Sequence, residues 1–462
     1  MCSTMFFKKI RDMRQYQELL QLCSDTKAIL IGDGVINQVA DIFKSLFKHQ
    51  RAILVTDEMG WKIAGEKTHQ ILKAQGIDQD DPFVFHEKGL FAEWSYMEKL
   101  EQQLKTTAAI PVAVGSGTIN DLTKLSSNRQ KRRYICVGTV ASMDGYTSYG
   151  ASVIKDGLKH TYDCRGPQAW IGDTKIIGNA PSTMTAAGYA DLMAKIPAGA
   201  DWLLSNQLGI DPIDPTVWHM MQDNIPTALS HPKAIANKEP SAVGQLVEGL
   251  VMSGCAMQIQ RSSRAASGAD HLFSHLWDME HHTCNGRPVS HGFQVSIGAL
   301  SSAALYECAL KTDFQELDIE HCVATWPSLE EQQQQVRETF SNTPYAEKCA
   351  EEVAAKYVDQ KGLRKQLSCL KRKWPHIKEM LSRQLGNIDN MTQCLVMAGA
   401  PTTPEEIGFD RDELRESYKR AWMIRRRITI LDLAVRTGLM NTWLDEIFGP
   451  GGRWDPQVVP VG

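Results

Sequence analysis

Residues 110–127, IPVAVGSGTINDLTKLSS, pass from a β-branched strand through a glycine turn directly into a helix. Apolar runs at residues 27–32 and 51–57 and a further run that starts at Tyr134 repeat the strand signal, and segments with helical spacing separate them. Alternating strands and helices predict an open, mostly parallel sheet that is covered by helices. We therefore expect an α/β domain over residues 1–178.

The pattern changes towards the second half of the chain. Residues 151–166 predict a hairpin with a Lys-Asp-Gly turn, and residues 169–178 predict one more strand. Beyond them, long segments with a period of 3.6 residues dominate, and residues 411–447 are the last of these. Residues 211–240 are rich in Pro and Asp and predict a loop with short helices. We expect an all-α second domain over residues 179–462.

The bulk composition excludes several classes of protein. A net charge of −4 without a long single-sign block argues against binding to nucleic acid or to an anionic membrane surface. The 11 cysteines contain no C-x-x-C pair, which is typical of reduced thiols in a cytosolic protein. Lys8 and Lys9 interrupt the first apolar run, so we expect no signal-peptide core there. No window approaches the roughly 20 apolar residues of a spanning helix. We expect a soluble, cytoplasmic protein without a membrane span.

Residues 267–292, SGADHLFSHLWDMEHHTCNGRPVSHG, hold five of the 13 histidines. His271 and His275 are four residues apart in a helical pattern, so both rings lie on one side of the helix. His291 follows about one helix length later, and two imidazoles with one carboxylate make a catalytic metal site. Asp191 is our candidate for the carboxylate. The alternative is an amphipathic helix whose histidines are solvated or cap its ends.

Three segments at strand ends predict a nucleotide site. Residues 115–121 place a glycine turn and the free N–H groups of a helix start where a pyrophosphate can approach, although an ordinary strand-to-helix turn has the same pattern. Asp57 can accept a hydrogen bond from a ribose hydroxyl or cap the next helix. Residues 138–148 carry small hydroxyl side chains, and among them Asp144 can bind a polyol. Ligands of open α/β sheets gather at such carboxyl ends.

Five segments resemble, in the same order, the sn-glycerol-1-phosphate dehydrogenases of the iron-containing alcohol dehydrogenase and dehydroquinate synthase-like superfamily. They are GSGTINDLTK (115–124), TVASMDGYTS (139–148), APSTMTAAGYADLMAK (180–195), SGADHLFSH (267–275) and SHGFQVSIG (290–298). The similarity is strongest to the bacterial branch, whose chains share a long helical C-terminal extension. It implies a Rossmann-like first domain, an active site in the interdomain cleft, NAD(H) or NADP(H), one divalent ion (zinc or nickel, with iron as the alternative) and a homodimer.

The resemblance also implies roles for individual residues. Asp191, His271 and His291 match the metal ligands, and His275 completes the catalytic set on the substrate side. Asp144 and Asp191 match substrate contacts. The implied cofactor contacts are Asp57, Gly115, Gly117, Thr118, Ile119, Asn120, Asp121, Thr139, Val140, Ala141, Ser142 and Ser148. Ser116 stands where many relatives have glycine, so its Cβ must fit beside the phosphates.

Two other clusters match no position of the family's site. His281 and His282 are predicted to be solvated or to cap a helix. The basic run 425–427 lies in the helical pattern with acidic residues nearby, and we interpret it as a solvated helix face.

The activity that the resemblance implies is the reversible, NAD(P)H-dependent reduction of dihydroxyacetone phosphate to sn-glycerol 1-phosphate, in metabolism of the glycerophospholipid type. A glycerol dehydrogenase that acts on the unphosphorylated polyol and a dehydroquinate synthase-like lyase are the alternatives on the same scaffold. The lyase is disfavoured because its lysine-rich substrate signature is not recognisable here. A catalytically silent metal- or nucleotide-binding protein is the alternative outside enzymes.

Overall fold

The structure is a computed structural model that describes residues 20–457. The segment with Lys8 and Lys9, on which the expectation of no signal peptide depends, lies outside the described residues. The chain forms two compact units. Of the described residues, the first unit comprises 20–155, His160–Ala180 and Val243–Ser263, and the second comprises Asp156–Lys159, Pro181–Ala242 and 264–457. The predicted domain boundary at residue 178 stays a prediction.

A parallel sheet forms the centre of the first unit. Among residues 20–457 the strands are β1 (Ala28–Gly32), β2 (Ala52–Asp57), β3 (Phe83–Phe85), β4 (Ile110–Gly115), β5 (Ile135–Gly138), β6 (Ala151–Lys155), β7 (Leu158–Tyr162), β8 (Ala169–Asp173), β9 (Thr283–Cys284) and β10 (Arg287–Pro288). Six of these described strands form one sheet in the order β1-β8-β5-β4-β2-β3, and every neighbouring pair is parallel. The predicted parallel α/β sheet is therefore confirmed.

The register of this sheet aligns the strand ends. Gly115 of β4 pairs with Gly138 of β5, and Gly138 pairs with Gly172 of β8. In β2, Val55 pairs with Ala113. Asp57, the last residue of β2, therefore reaches the same edge as the turn after β4 and the loop after β5.

Helices in the first part of the chain cover the sheet. The helices up to residue 178 are α1 (Val39–Leu46), α2 (Glu58–Gly60), α3 (Glu66–Ala74), α4 (Trp94–Lys105), α5 (Gly117–Arg129) and α6 (Thr174–Gly178). The prediction of a single strand over residues 169–178 is wrong in its second half. Asp173 ends β8, and its side chain accepts a hydrogen bond from the N–H of Lys175 at 3.1 Å, which starts α6 instead.

Helices make up nearly all of the chain that follows. They are α7 (Ser182–Met193), α8 (Lys195–Gln207), α9 (Pro215–Gln222), α10 (Ile225–Ala228), α11 (Pro232–Ala236), α12 (Pro240–Gln260), α13 (Ala269–Met279), α14 (His291–Lys311), α15 (Ile319–Ala324), α16 (Leu329–Thr339), α17 (Ala346–Lys356), α18 (Gln360–Leu385), α19 (Ile388–Ala398), α20 (Arg411–Ala421), α21 (Ile430–Arg436) and α22 (Met440–Phe448). The expected helical second half is confirmed. The expectation that no window approaches a spanning helix is wrong for one described helix. Among residues 20–457, α12 is long and apolar enough to cross a membrane, but 78% of that window is buried inside the fold.

The predicted helical segment 411–447 is broken into three helices. Helix α20 ends at Ala421, and a 3₁₀ turn follows over Trp422–Ile424. Helix α21 then starts from a capping box in which Thr429 and Asp432 bond each other's backbone. The sequence periodicity continues across the break, but this cap begins a new helix and leaves residues 425–429 without helical structure.

Candidate functional site

Three helices of the second unit bring four of the predicted site residues together. Helix α7 carries Asp191, α13 carries His271 and His275, and His291 is the first residue of α14. The possible ligand atoms of Asp191, His271 and His291 all lie within 4.8 Å of one another. The ring centroid of His275 lies 6.3 Å from those of both His271 and His291. A carboxylate and two imidazoles thus lie close enough to share one ion, and a third imidazole lies beside them.

Two glycines allow the helices to approach this closely. A Cβ on Gly292 would overlap the backbone carbonyl of Ala187 in α7, and a Cβ on Gly298 would overlap the backbone carbonyl of Asp270 in α13. Helix α14 packs against both of these helices. The missing side chains therefore let α14 place His291 beside Asp191 and His271.

The carboxylate of Asp270 determines which nitrogen of His271 faces the cluster. Asp270 contacts Nδ1 of His271, and Nε2 of the same ring lies 3.6 Å from Oδ1 of Asp191. Burial lowers the pKa of His271, but the charges of Asp270 and Asp191 outweigh burial and raise it above its ordinary value. A carboxylate on the far nitrogen of a histidine is the usual support of a metal ligand.

A hydroxyl and an amide orient His291 in the same way. The hydroxyl of Ser274 donates to Oε1 of Gln294 at 2.7 Å, so its oxygen can accept the N–H of Nδ1 of His291 at 3.0 Å. Nε2 of His291 is then the free acceptor. Burial lowers the pKa of His291 to about 3, and the ring is therefore neutral near pH 7, as a metal ligand must be.

A buried lysine holds the carboxylate of Asp191. Nζ of Lys195 donates to Oδ1 of Asp191 at 2.6 Å, and neither side chain is exposed to solvent. Burial alone would raise the pKa of Asp191, but Lys195 and the imidazoles of His271 and His291 hold it well below its ordinary value. The carboxylate is therefore ionised and can bind a cation.

His275 differs from the other two imidazoles of the cluster. Its Nδ1 is buried and has no hydrogen-bond partner among residues 20–457. Burial, followed by the charge of Arg425, lowers the pKa of His275 well below its ordinary value. The ring is therefore neutral, and one of its nitrogens is available to a ligand.

The donor set fits a divalent transition-metal ion. Ligand atoms of one tetrahedral ion lie roughly 3.5 Å apart when each bond is about 2.1 Å long. The possible ligand atoms of Asp191, His271 and His291 lie within 4.8 Å of one another, so a bound ion would have to draw them closer together. One carboxylate and two imidazoles leave positions open for a substrate, which is the arrangement of catalytic rather than structural sites.

The predicted nucleotide residues lie at the sheet edge of the first unit. Gly117 and Thr118 start α5 directly after β4. The side chains of Ile119 and Asn120 are fully buried, and the N–H of Asn120 donates to the carbonyl of Ser116 at 3.1 Å. Only the backbone N–H groups before Asn120 can therefore serve an anion at this helix start. The amide nitrogen of Asn120 donates to the carbonyl of Tyr146 at 3.3 Å and so ties this turn to the neighbouring loop.

A buried lysine that the sequence analysis missed shapes that neighbouring loop. Nζ of Lys124 donates to the carbonyls of Gly145, Ser148 and Gly150 at 2.8, 3.1 and 2.9 Å. It also lies 3.2 Å from Oγ of Ser148, whose hydroxyl donates to the carbonyl of Gly145. Ser148, which the resemblance implies as a cofactor contact, thus also forms hydrogen bonds that stabilise the loop itself. Thr139, Val140 and Ala141 are buried at its start, and Ser142 is half-buried.

Asp57, Asp121 and Asp144 also have protein partners. Oδ1 of Asp57 accepts the N–H of Gly60 at 2.5 Å, so Asp57 does cap the next helix, one of the two interpretations left open above. Asp121 lies 3.8 Å from Nζ of Lys124. Oδ2 of Asp144 accepts the hydroxyl hydrogen of Ser253 at 2.6 Å. Their roles in cofactor and substrate binding stay predictions.

The basic run 425–427 is not the solvated helix face that we predicted. It lies in the break after α20, and its three side chains have different environments. The guanidinium of Arg426 is exposed, whereas that of Arg427 donates to the carbonyl and to Oγ of Ser267, both at 2.6 Å. His282 is not fully solvated either, since its Nε2 lies 2.6 Å from the carbonyl of Ile407.

Four supporting residues of the cluster were missed, and two of them carry a sequence signal. Lys195 lies four residues after Asp191, the spacing of an ion pair on a helix. Ser274 lies three residues after His271 and therefore on a related face of α13. Asp270 directly precedes its partner, a spacing that does not predict a contact on a helix. Gln294 comes from another helix, so no local pattern relates it to Ser274.

Comparisons with known proteins agree with this geometry. A family model described as iron-containing alcohol dehydrogenase matches residues 30–181. The glycerol-1-phosphate dehydrogenase (NAD(P)+) of Halalkalibacterium halodurans is 33% identical over 284 residues, which are 60% of this chain and 70% of the relative. That of Methanosarcina mazei is 31% identical over 60% of this chain and 76% of the relative. That of Bacillus licheniformis is 27% identical over 92% of both chains.

Solved structures support the same fold. A probable glycerol dehydrogenase from Sinorhizobium meliloti superposes with a TM-score of 0.57 at 16% identity and covers 91% of this chain and 98% of its own. The glycerol dehydrogenase of Schizosaccharomyces pombe gives a TM-score of 0.57 at 15% identity, with 95% and 97% covered. At these identities the similarity establishes the fold alone.

Proposed function

The chain belongs to the glycerol-1-phosphate dehydrogenase family of iron-containing alcohol dehydrogenases, and on this premise we propose that it reduces dihydroxyacetone phosphate reversibly to sn-glycerol 1-phosphate with NAD(P)H. The observation that carries the proposal is the convergence of Asp191, His271 and His291 beside the free nitrogen of His275. Such a site combines an ion-binding set with a neutral group for the substrate hydroxyl.

Asp191, His271 and His291 would hold the divalent ion, and zinc, nickel and iron all suit this donor set. When bound, the ion would polarise the substrate carbonyl as a Lewis acid, and the reduced nicotinamide would supply the hydride. Asp270 and Ser274 keep Nε2 of the two imidazoles directed at the ion site. Lys195 keeps Asp191 ionised and in place.

His275 is the chain's own candidate for proton transfer. A neutral imidazole can hold a hydrogen bond to the substrate oxygen and give or take a proton there, directly or through one water. Its low pKa prevents it from competing as a cation for the same position. The edge formed by Asp57, residues 115–121 and residues 139–148 is our proposed site for the nucleotide.

The test couples metal analysis to turnover. We expect purified protein to retain one divalent ion per chain and to oxidise NADH or NADPH when dihydroxyacetone phosphate is added. His271→Ala should lose both the ion and turnover, while its far-ultraviolet circular dichroism stays unchanged. Full activity of metal-free His271→Ala would overturn the assignment. Faster turnover of dihydroxyacetone than of its phosphate would instead indicate a glycerol dehydrogenase.

The finer properties are proposed from the resemblance. We place the enzyme in the cytoplasm, as a homodimer, in a pathway that supplies glycerol phosphate for lipids. Light scattering on the eluting protein measures the dimer directly, and a mass of one chain, 51.6 kDa, would contradict it.

A further inference from the structure

Helix α12 lies against the loop that follows β5. The hydroxyl of Ser253 donates to Oδ2 of Asp144 at 2.6 Å. The hydroxyl of Thr147 donates to the carbonyl of Val251 at 2.8 Å, and Nε2 of Gln258 donates to the carbonyl of Thr147. These helix residues and the loop belong to the same compact unit. The loop is therefore bound to α12 at two positions, one of which is the carboxylate of Asp144.

A glycine of α12 allows this close approach. A Cβ on Gly254 would overlap Oγ1 of Thr147 and would lie 2.7 Å from the carbonyl oxygen of Asp144. A side chain at position 254 would therefore displace the loop from the helix. The hydrogen bond between the neighbouring Ser253 and Asp144 depends on this spacing.

Helix α5 holds the other residues of this part of the loop. Nζ of Lys124 donates to the carbonyls of Gly145 and Ser148, and the side-chain amide of Asn120 donates to the carbonyl of Tyr146. Together with the bonds to α12, these bonds attach five consecutive loop residues to a helix. A functional side chain on such a loop has a fixed position before a ligand binds.

Ser253 and Asp144 differ in their access to a ligand. Ser253 is 1% exposed, whereas Asp144 is 8% exposed and lies in a loop at the sheet edge where ligands of open α/β sheets gather. The 2.6 Å bond between them has the length of a charge-assisted bond from a hydroxyl to a carboxylate. A carboxylate accepts several hydrogen bonds, so Asp144 can bind Ser253 and a substrate hydroxyl together. Ser253 would thus act on a ligand only through Asp144.

We propose that Ser253 is a positioning residue, which fixes the carboxylate of Asp144 as the acceptor for the free hydroxyl of dihydroxyacetone phosphate. The proposal rests on the proposed function for the identity of the substrate. A serine inside a helix commonly bonds the carbonyl one turn before it, whereas Ser253 donates to the loop. A site built to bond a substrate hydroxyl rejects the analogue that lacks it, because the acceptor is then left unpaired. The pair therefore selects a carbonyl compound with a hydroxyl on the neighbouring carbon.

A double-mutant cycle tests whether Ser253 acts through Asp144. We expect kcat/KM for dihydroxyacetone phosphate to fall about a hundredfold in Asp144→Ala and roughly tenfold in Ser253→Ala, because hydrogen bonds to a charged group are lost. The double variant should be no less active than Asp144→Ala, since Ser253 then has no carboxylate to position. The control Ser127→Ala changes a buried helical serine whose hydroxyl has no hydrogen-bond partner among residues 20–457, and it should keep the wild-type value.

A substrate analogue separates positioning from a general loss of structure. In this analogue a methyl group replaces the hydroxymethyl group of dihydroxyacetone phosphate, so no free hydroxyl remains. Both single variants should change kcat/KM for the analogue by no more than about twofold, because the contact that they weaken is not made. Three results would overturn the role of Ser253 and leave the proposed function intact: an unchanged kcat/KM for dihydroxyacetone phosphate in Ser253→Ala, equal losses for substrate and analogue, or losses that multiply in the double variant.

The wild-type protein shows separately whether the proposed function fails. Wild type that reduces dihydroxyacetone but not its phosphate would contradict the proposed function alone, and the same cycle with dihydroxyacetone would then decide the role of Ser253. Wild type that reduces neither compound would overturn both.

Discussion

The carboxylate of Asp270 contacts Nδ1 of His271, its neighbour in sequence, and the opposite nitrogen of that ring lies 3.6 Å from Asp191. Successive residues of a helix normally point in different directions. Here Asp270 also accepts the N–H of Gly268 at 3.1 Å, so its side chain stays at the start of α13 and holds the ring from behind. The orientation of one predicted ligand therefore depends on a residue that has no access to the ion.

Replacing Asp270 with Asn tests this dependence. Asn keeps an acceptor for Nδ1 but removes the charge that makes the imidazole a stronger ligand, so we expect zinc affinity to fall about 10- to 100-fold. Competition with a chelator at fixed pH measures the change. Asp389→Asn, whose side chain is 78% exposed, is the control and should bind zinc like wild type. Equal affinities in all three proteins would contradict the role of Asp270.

Gly292→Ala tests the close approach of α14 and α7. Alanine is favoured over glycine within a helix by about 1 kcal/mol. Any loss of stability or of zinc affinity in Gly292→Ala must therefore come from the overlap of its Cβ with the carbonyl of Ala187. We expect zinc affinity to drop roughly tenfold or more, because a metal site tolerates displacements of only about 0.5 Å.

Gly244→Ala is the matched control for this substitution. Its Cβ would meet Thr174 at 3.7 Å, which is ordinary contact, and Gly244 also lies inside a helix. We expect unchanged or slightly increased stability and normal zinc binding. Equal zinc affinities of Gly292→Ala and Gly244→Ala would show that the spacing of α7 and α14 does not control the geometry of the metal cluster.

Asp201 should make stability depend on pH. Its carboxylate accepts hydrogen bonds from Ala269, Tyr306 and Ile430, yet burial raises its pKa to about 7. The folded state then keeps a proton that the unfolded state has already lost above its ordinary value of 3.8. Stability therefore falls as pH rises from about 4 to about 7, by at most about 1.4 kcal/mol per unit.

Urea unfolding of metal-free protein between pH 5 and pH 8 measures this slope. Asp201→Asn cannot titrate at this position. We therefore expect the urea midpoint of this variant to fall less than that of wild type between pH 5 and pH 7. The absolute stability of the variant does not enter the comparison. Parallel curves for wild type and Asp201→Asn would show that Asp201 is ionised throughout this range.

Lys124→Met should weaken the proposed nucleotide edge. The substitution leaves the carbonyls of Gly145, Ser148 and Gly150 without their donor, and we expect a stability loss of about 3 kcal/mol or more. Affinity for NADH, measured by fluorescence titration, should fall with it. Lys105→Met changes a half-exposed lysine of α4 and should leave NADH affinity unchanged. Normal NADH binding by Lys124→Met would separate this loop from the nucleotide site.

The agreement between sequence and structure differs from one feature to another. The strands ending at Asp57, Gly115 and Gly138 could be predicted because apolar runs and glycine turns are local signals. The common edge of these strands followed from the parallel arrangement. The helix break before Ile430 was not predicted, because the apolar spacing continues through it. The break is marked only by the capping box of Thr429 and Asp432, which starts a new helix.

The sequence by itself determined the succession of strands and helices and the shared face of His271 and His275, because both depend on spacing within one element. Only the tertiary structure decided which groups meet across elements. Gly292 lets His291 reach Asp191 because a backbone without a side chain can lie against another backbone. Arg426 and Arg427 have different partners because other segments offer the acceptors, Glu352 to the first and Ser267 to the second, and no pattern within the run itself contains that information.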